Sequence, residues 1–343
     1  MSVHESGNPI APRIRLLTFD RTDARDASLA WLRDNGIDVH PGRADGNPAF
    51  NRYTEEQIIA EAQGFDAVLG ASTAPFTRRV IEALPRLRFI SKIGVGVDSI
   101  DIAAATDHGI VVTNTPESAG VTAVAEHAIA LMLALLKRVT VLTPALMREG
   151  KWRDAEFSGT MEGSTIGIVG FGRIGRAVAQ RLAGWNVRIL GSDPHARPSE
   201  TDVTWTDLPD LLAKSDIVTL HCAPTADNRH MINRATLALM KPGAILVNTA
   251  RGSLIDTRAL VERLKSGALA GVALDVFEPE PPERNDELLT QKNVVVTAHM
   301  AARSLEVFLD RRRRAARNLV AVVKGEPCPD VVNPEVLAKR AGA

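Results

Sequence analysis

The sequence predicts an α/β protein built on two doubly wound parallel-sheet domains, and three observations carry that expectation. Short apolar strand-like runs alternate with helical patterns along most of the chain. The alternation pauses at one long apolar helical stretch and restarts after Gly163. The chain has 343 residues, a length that suits about two domains at ~150 residues each.

In the first third, strands are expected at Arg13–Leu17, Ile37–His40, Ala67–Leu69, Phe89–Ile93 and Ile110–Thr113. Helical patterns fall between them, at about Asp23–Asp34, Glu55–Gln63, Thr77–Leu84 and Ile100–His108. Asn35-Gly36 and His108-Gly109 supply helix stops. The long helix, about Thr122 to Arg138, carries Ala, Leu, Ile and Met on nearly every face. Such a helix is expected to be buried, between domains or against a partner subunit.

After Gly163 six strands are expected: Thr165–Val169, Val187–Leu190, Ile217–Leu220, Ala244–Asn248, Gly271–Leu274 and Val294–Thr297. The helix Thr257–Ser266 is punctuated by Asp256 as N-terminal cap and Gly267 as stop. The tail from about Ser304 reads as helix and then loop. Its arginine run, Arg311–Arg314, reads as a solvated helix face rather than an anion site.

Composition excludes several classes of function. Lys and Arg total 41 against 41 Asp and Glu, so the basic footprint of a nucleic-acid binder is missing. The two cysteines, Cys222 and Cys328, form no disulfide framework and no metal-ligand spacing. They fit a reducing cytoplasm. The longest apolar run, Ala128 to Leu136, is too short to span a bilayer. The N-terminal residues lack an apolar signal core. The expectation is a soluble protein with no metal, no nucleic-acid partner and no membrane.

The sharpest motif is Gly170-Phe-Gly172-Arg-Ile-Gly175, which follows the strand TIGIV and opens the helix RIGRAVAQRL. In that context the glycines serve a dinucleotide: a tight turn, a close approach of backbone to pyrophosphate, and close packing of helix on strand. The helix N-terminus offers N–H groups and a positive dipole end to phosphate. Asp193 lies 21 residues after Gly172, just past the next strand. A carboxylate there accepts ribose hydroxyls and repels a 2′-phosphate, which favours NAD over NADP. His195 and Arg197 nearby run against that preference.

Ligands of open α/β sheets bind beyond the carboxyl ends of the strands. Arg251, Asp275 with Glu280, and His299 each follow such an end. Together an arginine, a carboxylate and a histidine beside a nicotinamide suit hydride transfer at a carbon bearing oxygen. Histidine moves the proton at that oxygen. Glu280 stabilises the imidazolium, and Arg251 forks a substrate carboxylate and polarises the carbonyl. His127 on the long helix and His221 at a strand end read as structural.

These residues make the chain resemble the NAD-dependent D-2-hydroxyacid dehydrogenases, from about Ile14 to Pro334. The markers are KIGVGVDSID (92–101), VAEHAIALML (124–133), GIVGFGRIGRAVA (167–179), MKPGAILVNTARGSLID (240–256), ALDVFEPEP (273–281) and TAHMA (297–301). The resemblance implies a Rossmann NAD-binding domain, 119–303, inserted into a flavodoxin-like substrate domain, 1–118 and 304–343. It implies Arg251, Glu280 and His299 as the catalytic set. It places NAD against Gly170, Gly172, Arg173, Ile174, Gly175, Asp193, Ala223, Pro224, Thr249, Ala250 and Asp275. It gives the substrate carboxylate to Gly94, Val95 and Gly96 together with Arg251.

The resemblance also implies a homodimer, and interconversion of a small D-2-hydroxy acid with its 2-keto acid in a cleft between domains. Departures from the family pattern are Ala298 where proline often precedes the histidine, Ala302 where glycine is frequent, and an extra residue in Glu117–Val121. Ala71 stands where phosphoglycerate-acting relatives often carry arginine, so hydroxypyruvate- or glyoxylate-like substrates are expected, although Lys92 offers a cation. The alternatives are a phosphoglycerate dehydrogenase lacking a regulatory domain, the chain ending soon after VVNP, and a corepressor-like protein that senses NADH.

Overall fold

Strands covered on both faces need apolar residues at successive positions, not only at alternate ones. The first five strands are β1 (Arg15–Thr18), β2 (Asp38–Pro41), β3 (Ala67–Gly70), β4 (Phe89–Lys92) and β5 (Val111–Thr113), and all but the edge strand β2 have that character. Neighbouring residues in these strands enter different cores. Leu17, Val68, Ile90 and Val112 join one cluster, and Leu16, Leu69, Phe89 and Val111 join the other. All pairings are parallel, in the order β2-β1-β3-β4-β5. This is the flavodoxin-like order. The intervening helices are α1 (Ser28–Asp34), α2 (Glu55–Ala62), α3 (Arg78–Glu82) and α4 (Ile102–Asp107). Thr54, Thr77 and Asp101 cap the last three through side-chain oxygens.

The structure is a computed structural model and describes residues 14–19, 25–42, 53–70, 74–116, 120–140, 144–152, 157–195 and 202–341. Ala71, Arg197 and residues 117–119 of the loop Glu117–Val121 lie outside the described residues.

The long helix, α5 (Gly120–Leu136), is followed by the short α6 (Pro144–Arg148). A second parallel sheet follows: β6 (Thr165–Val169), β7 (Arg188–Ser192), β8 (Val203–Trp205), β9 (Ile217–Leu220), β10 (Ala244–Asn248), β11 (Leu269–Leu274) and β12 (Val294–Val296). Its order is β12-β11-β10-β9-β6-β7-β8. The helices between are α7 (Arg173–Leu182), α8 (Leu208–Lys214), α9 (Arg234–Leu239) and α10 (Thr257–Lys265). Asp256 caps α10 by accepting from the Ala259 N–H, and Gly267 at φ +70° ends it, as the sequence indicates.

One expectation needs correction here. The sheet has seven strands among the described residues, not six. The extra one, β8, is three residues long and only partly covered at the sheet edge, so it lacks the apolar run that marks its neighbours. Within the single chain the long helix buries one side. Val124, Ala125, Ala128, Ile129, Leu131 and Met132 are buried, while Thr122, Glu126 and Ala130 are exposed.

The chain then enters α11 (Leu305–Lys324) and α12 (Glu335–Ala341). Ala315, Ala316, Leu319 and Val320 of α11 complete the second core of the first sheet. The chain divides into two compact units, Met1–Ser118 with Leu305–Ala343, and Ala119–Ser304. No helix among the described residues is long and apolar enough to cross a membrane.

The arginine run on α11 is not simply a solvated face. Arg312 is fully buried against Asp26, Nε to Oδ2 2.5 Å. Arg314 forks Asp330 through Nε (2.6 Å) and Nη2 (2.7 Å), and Asn318 adds a third donor at 2.9 Å. Sequence periodicity identifies a helix but not the acids that face it, which come from distant positions. Burial alone would raise the Asp330 carboxyl, but Arg314 and Asn318 outweigh it and hold it below the usual range.

A depressed carboxyl stabilises the fold above its unfolded value, near ~3.9. That contribution is lost as pH falls through the folded value. Asp330→Asn is therefore expected to cost about 3 kcal/mol at pH 7 and progressively less as pH falls below ~3.9. Thermal melts across that range check it, and an equal loss at both ends would contradict the pairing.

Candidate active site

The second sheet turns back on itself between β6 and β9, and the chain leaves β6 through Gly170. Gly170 sits at φ +87°, and a Cβ there would run into the Cys222 backbone just beyond β9. Only glycine meets both demands. A Cβ on Gly175 would overlap the Gly170 carbonyl, so the helix lies tight against the turn. Gly172 caps α7 with no side-chain partner, and the space where its Cβ would stand is open to 4 Å. The first N–H groups of α7 thus face an uncluttered cradle.

Asp193 follows β7 and closes one side of this loop. Its Oδ2 accepts from the Phe171 N–H at 2.6 Å and its Oδ1 from the His195 N–H at 2.7 Å. Each oxygen keeps a further lone pair. Ala223 and Pro224 are exposed in the loop after β9, where the Asn228 side chain holds the Ala223 carbonyl. Burial pushes the neighbouring Cys222 thiol up to about 11, with Asp193 adding to it. Burial pushes His221 down to about 3, so it stays neutral; its Nε2 meets Thr219 Oγ1 at 2.9 Å.

Thr249 and Ala250 follow β10. The Thr249 hydroxyl is buried and finds no hydrogen-bond partner among the described residues. An open helix N-terminus, an acid beside it and an orphaned hydroxyl at the next strand end fit a dinucleotide with its pyrophosphate, adenosine ribose and second ribose. Arg173 is exposed and Ile174 half-buried at the start of the helix.

The residues of the expected catalytic set lie beyond the ends of β10, β11 and β12. His299 Nδ1 lies 2.8 Å from Glu280 Oε2, with both side chains partly exposed. Glu280 Oε1 accepts from the Phe277 N–H at 3.0 Å. Burial raises the Glu280 carboxyl, but His299, the Phe277 N–H and the Arg251 charge outweigh this and hold it below its ordinary range. Arg251 is half-buried, its Nη1 donating to the Ala250 carbonyl at 2.8 Å. With Nδ1 engaged by Glu280, the other ring nitrogen of His299 is Nε2.

Asp275, expected among the residues that contact NAD, is buried. Its carboxylate is occupied by the segment that follows β12. Oδ1 accepts from the Thr297 hydroxyl (2.5 Å) and the Met300 N–H (2.7 Å), and Oδ2 from the Ala301 N–H (2.9 Å). Its carbonyl takes the His299 N–H at 2.8 Å. His299 itself sits at φ +51°, a left-handed conformation that costs a non-glycine residue about 1 kcal/mol or more.

In the first unit, Gly94, Val95 and Gly96 follow β4, beyond the buried Lys92. Gly94 is at φ +110°, and its N–H is taken by Thr115 Oγ1 at 2.8 Å. The Val95 and Gly96 N–H groups have no partner among the described residues, and Val95 is exposed. The two free donors of this loop are therefore Val95 and Gly96.

Sequence reasoning missed several residues that hold the site. Asn248 is fully buried; its Nδ2 donates to the Arg251 carbonyl (2.7 Å) and its Oδ1 accepts from the Ala250 N–H (2.9 Å). Gly252 packs so closely that a Cβ would overlap the Phe277 carbonyl and the Glu278 nitrogen. The run NTARG contained both signals, but a single sequence does not reveal which backbone lies opposite. His127, read as structural, reaches Thr297 Oγ1 at 3.0 Å.

A dinucleotide cradle beside an arginine and a carboxylate-backed imidazole defines a nicotinamide-dependent oxidoreductase. Comparison with known proteins narrows the class. The description "D-isomer specific 2-hydroxyacid dehydrogenase, NAD binding domain" matches residues 129–301. The chain is 43% identical over 299 residues to a glyoxylate reductase of Thermofilum pendens, covering 84% of this chain and 87% of that one. It is 36% identical over 312 residues to a D-3-phosphoglycerate dehydrogenase of Archaeoglobus fulgidus, covering 90% of this chain and 57% of the relative. The crystal structure of a glyoxylate reductase from Paecilomyes thermophila superposes with a TM-score of 0.79 at 32% identity, covering 95% of this chain and 100% of that one.

The chain belongs to the D-isomer specific 2-hydroxyacid dehydrogenase family. It is an oxidoreductase that uses a nicotinamide cofactor to interconvert 2-hydroxy and 2-keto acids.

Gly252→Ala should push the Arg251 turn away from the loop bearing Glu280. Because displacement of order 1 Å at a reacting group costs ~100-fold, turnover is expected to fall by at least ~10-fold. Steady-state kcat checks this, and a wild-type value would contradict the packing argument.

Proposed function

We propose that this protein reduces small 2-keto acids of glyoxylate or hydroxypyruvate size to D-2-hydroxy acids with NADH. The observation that carries the reading is the 2.8 Å pair of His299 Nδ1 and Glu280 Oε2 at the strand ends that also present Arg251. When bound, NADH supplies the hydride and NAD takes it in the reverse direction.

The protein's part is binding, orientation and one proton. His299 Nε2 donates a proton to the carbonyl oxygen in reduction and removes one from the hydroxyl in oxidation. Glu280 fixes the ring and stabilises it when charged. Arg251 supplies a fork to the substrate carboxylate and a cation that polarises the carbonyl. The Val95 and Gly96 N–H groups of the Gly94–Gly96 loop are donors suited to a substrate carboxylate. Gly170, Gly172, Arg173, Ile174 and Gly175 cradle the pyrophosphate, and Asp193 accepts the adenosine ribose. Ala223 and Pro224 flank the adenosine, Thr249 and Ala250 the second ribose. Asp275 serves the nicotinamide end through the turn it caps.

We also infer a homodimer working in the cytoplasm. In the second unit Val139, Met147, Trp152 and Phe157 are exposed, Phe157 almost entirely. Apolar side chains of this size gathered along one short stretch suit a subunit interface. The substrate domain is assigned to the first unit and the NAD-binding domain to the second.

His299→Ala is expected to abolish turnover while NADH binding persists. Steady-state assays over a panel of 2-keto acids, with cofactor binding followed by fluorescence, check both halves. Normal rates in the variant would remove His299 from the reaction. In the wild type, activity confined to 3-phosphoglycerate would favour the phosphoglycerate dehydrogenase reading. NADH binding with no keto-acid turnover would favour a sensor.

Asp193→Ala is expected to lower the NADH over NADPH ratio of kcat/KM by ~10-fold, since the acid repels a 2′-phosphate. An unchanged ratio would overturn the ribose assignment.

A further inference from the structure

We infer that His127, on the long helix α5, is a positioning residue for the proton-transfer step, acting through Thr297 and Asp275 on the turn that bears His299. This rests on His299 being the proton donor and acceptor. The donor order follows from the chemistry of each group. Thr297 Oγ1 lies 2.5 Å from Asp275 Oδ1 and 3.0 Å from His127 Nε2. A hydroxyl has one proton, and the carboxylate at the shorter distance claims it. The Thr297 lone pair then accepts from His127, which must carry its proton on Nε2. The chain of donation runs His127 Nε2–H to Thr297 Oγ1–H to Asp275 Oδ1. His127 Nε2 is itself 3.6 Å from Asp275 Oδ1, and the Asp275 side chain is 1% exposed.

The chain matters because of what Asp275 holds. Its carboxylate accepts the Met300 and Ala301 N–H groups, and its carbonyl accepts the His299 N–H. The turn is thereby wrapped around one buried side chain, with His299 left-handed at its apex. A buried carboxylate that loses a donor re-aims toward the remaining ones. Here that means rotation against the Met300 and Ala301 N–H groups, which shifts the His299 ring relative to Glu280. Thr297 donates its one proton to Asp275 and accepts one from His127, so it links the buried carboxylate to the helix. The VAEH run on α5 is thus tied to the proton carrier, although His127 touches no residue of the catalytic set.

The test uses the full chain and steady-state reduction of glyoxylate with NADH. Thr297→Val keeps shape and removes the hydroxyl, so kcat is expected to fall ~10- to 100-fold, in line with misplacement of order 1 Å. The NADH dissociation constant and the glyoxylate KM are expected to stay within ~3-fold, because neither binding site uses the hydroxyl. Thr297→Ser restores the link and should return kcat to within ~3-fold of wild type. His127→Leu should repeat the Thr297→Val loss, while His127→Gln, whose Nε2 donates from a similar position, should recover most of it. The Thr297→Val, His127→Leu double variant should be no slower than Thr297→Val alone, as expected of two members of one chain.

Wild-type kcat in Thr297→Val would overturn the inference. So would equal impairment of the Val and Ser variants, or strictly multiplicative losses in the double variant. If Thr297→Val fails to fold, the Ser, Gln and Leu variants decide alone: a Gln variant no better than Leu overturns it. Loss of turnover in His299→Ala with full turnover in Thr297→Val would sink only the positioning chain. Full turnover in His299→Ala would sink the proton-donor reading beneath it.

Discussion

One buried carboxylate organises the end of the second sheet that bears Arg251 and His299. Asp275 sits at the carboxyl end of β11, between the strands that carry Arg251 and His299. Its N–H donates to the Asn248 carbonyl on one side at 3.0 Å. Its side chain gathers Thr297, Met300 and Ala301 on the other. An unpaired buried carboxylate is costly, so its donors are held as firmly as they hold it. The result is a turn at a left-handed residue that would not persist alone. Position, here, is made by satisfying a buried charge.

The same principle sets the other half of the constellation. Asn248 spends both ends of its amide on the Ala250–Arg251 backbone. Gly252 lets that backbone approach the Phe277–Glu278 segment, and Phe277 in turn donates to Glu280. Arginine, glutamate and histidine therefore belong to one continuous network of short-range contacts rather than to three independent loops. Their supports lie on rigid strand ends, which suits a reaction in which the protein mainly orients groups.

At the cofactor end the organising constraint is steric rather than electrostatic. Gly170 and Gly175 permit contacts that any side chain would block, and Gly172 leaves open space where phosphate is expected. The Asp193 carboxylate also braces the glycine loop through the Phe171 N–H. It therefore has a local duty besides the ribose.

Much was legible in the sequence because it is written locally. Continuous apolar runs marked the two-faced strands, caps such as Asp256 marked helix ends, and the strand–GxGxxG–helix order marked the dinucleotide turn. Arg251 and His299 stood out because each closely follows a strand, and Glu280 because it lies in the loop after β11. What only the tertiary structure decided was pairing between distant positions. Arg312 and Arg314 look like solvated charges until Asp26 and Asp330 appear opposite them. His127 looks like one more helix residue until Thr297 arrives, 170 residues later in the chain. Local patterns follow from backbone geometry and solvent exclusion, which neighbouring residues already specify. The partner of a buried polar atom depends on which strand end folds over it, and no stretch of sequence contains that information by itself.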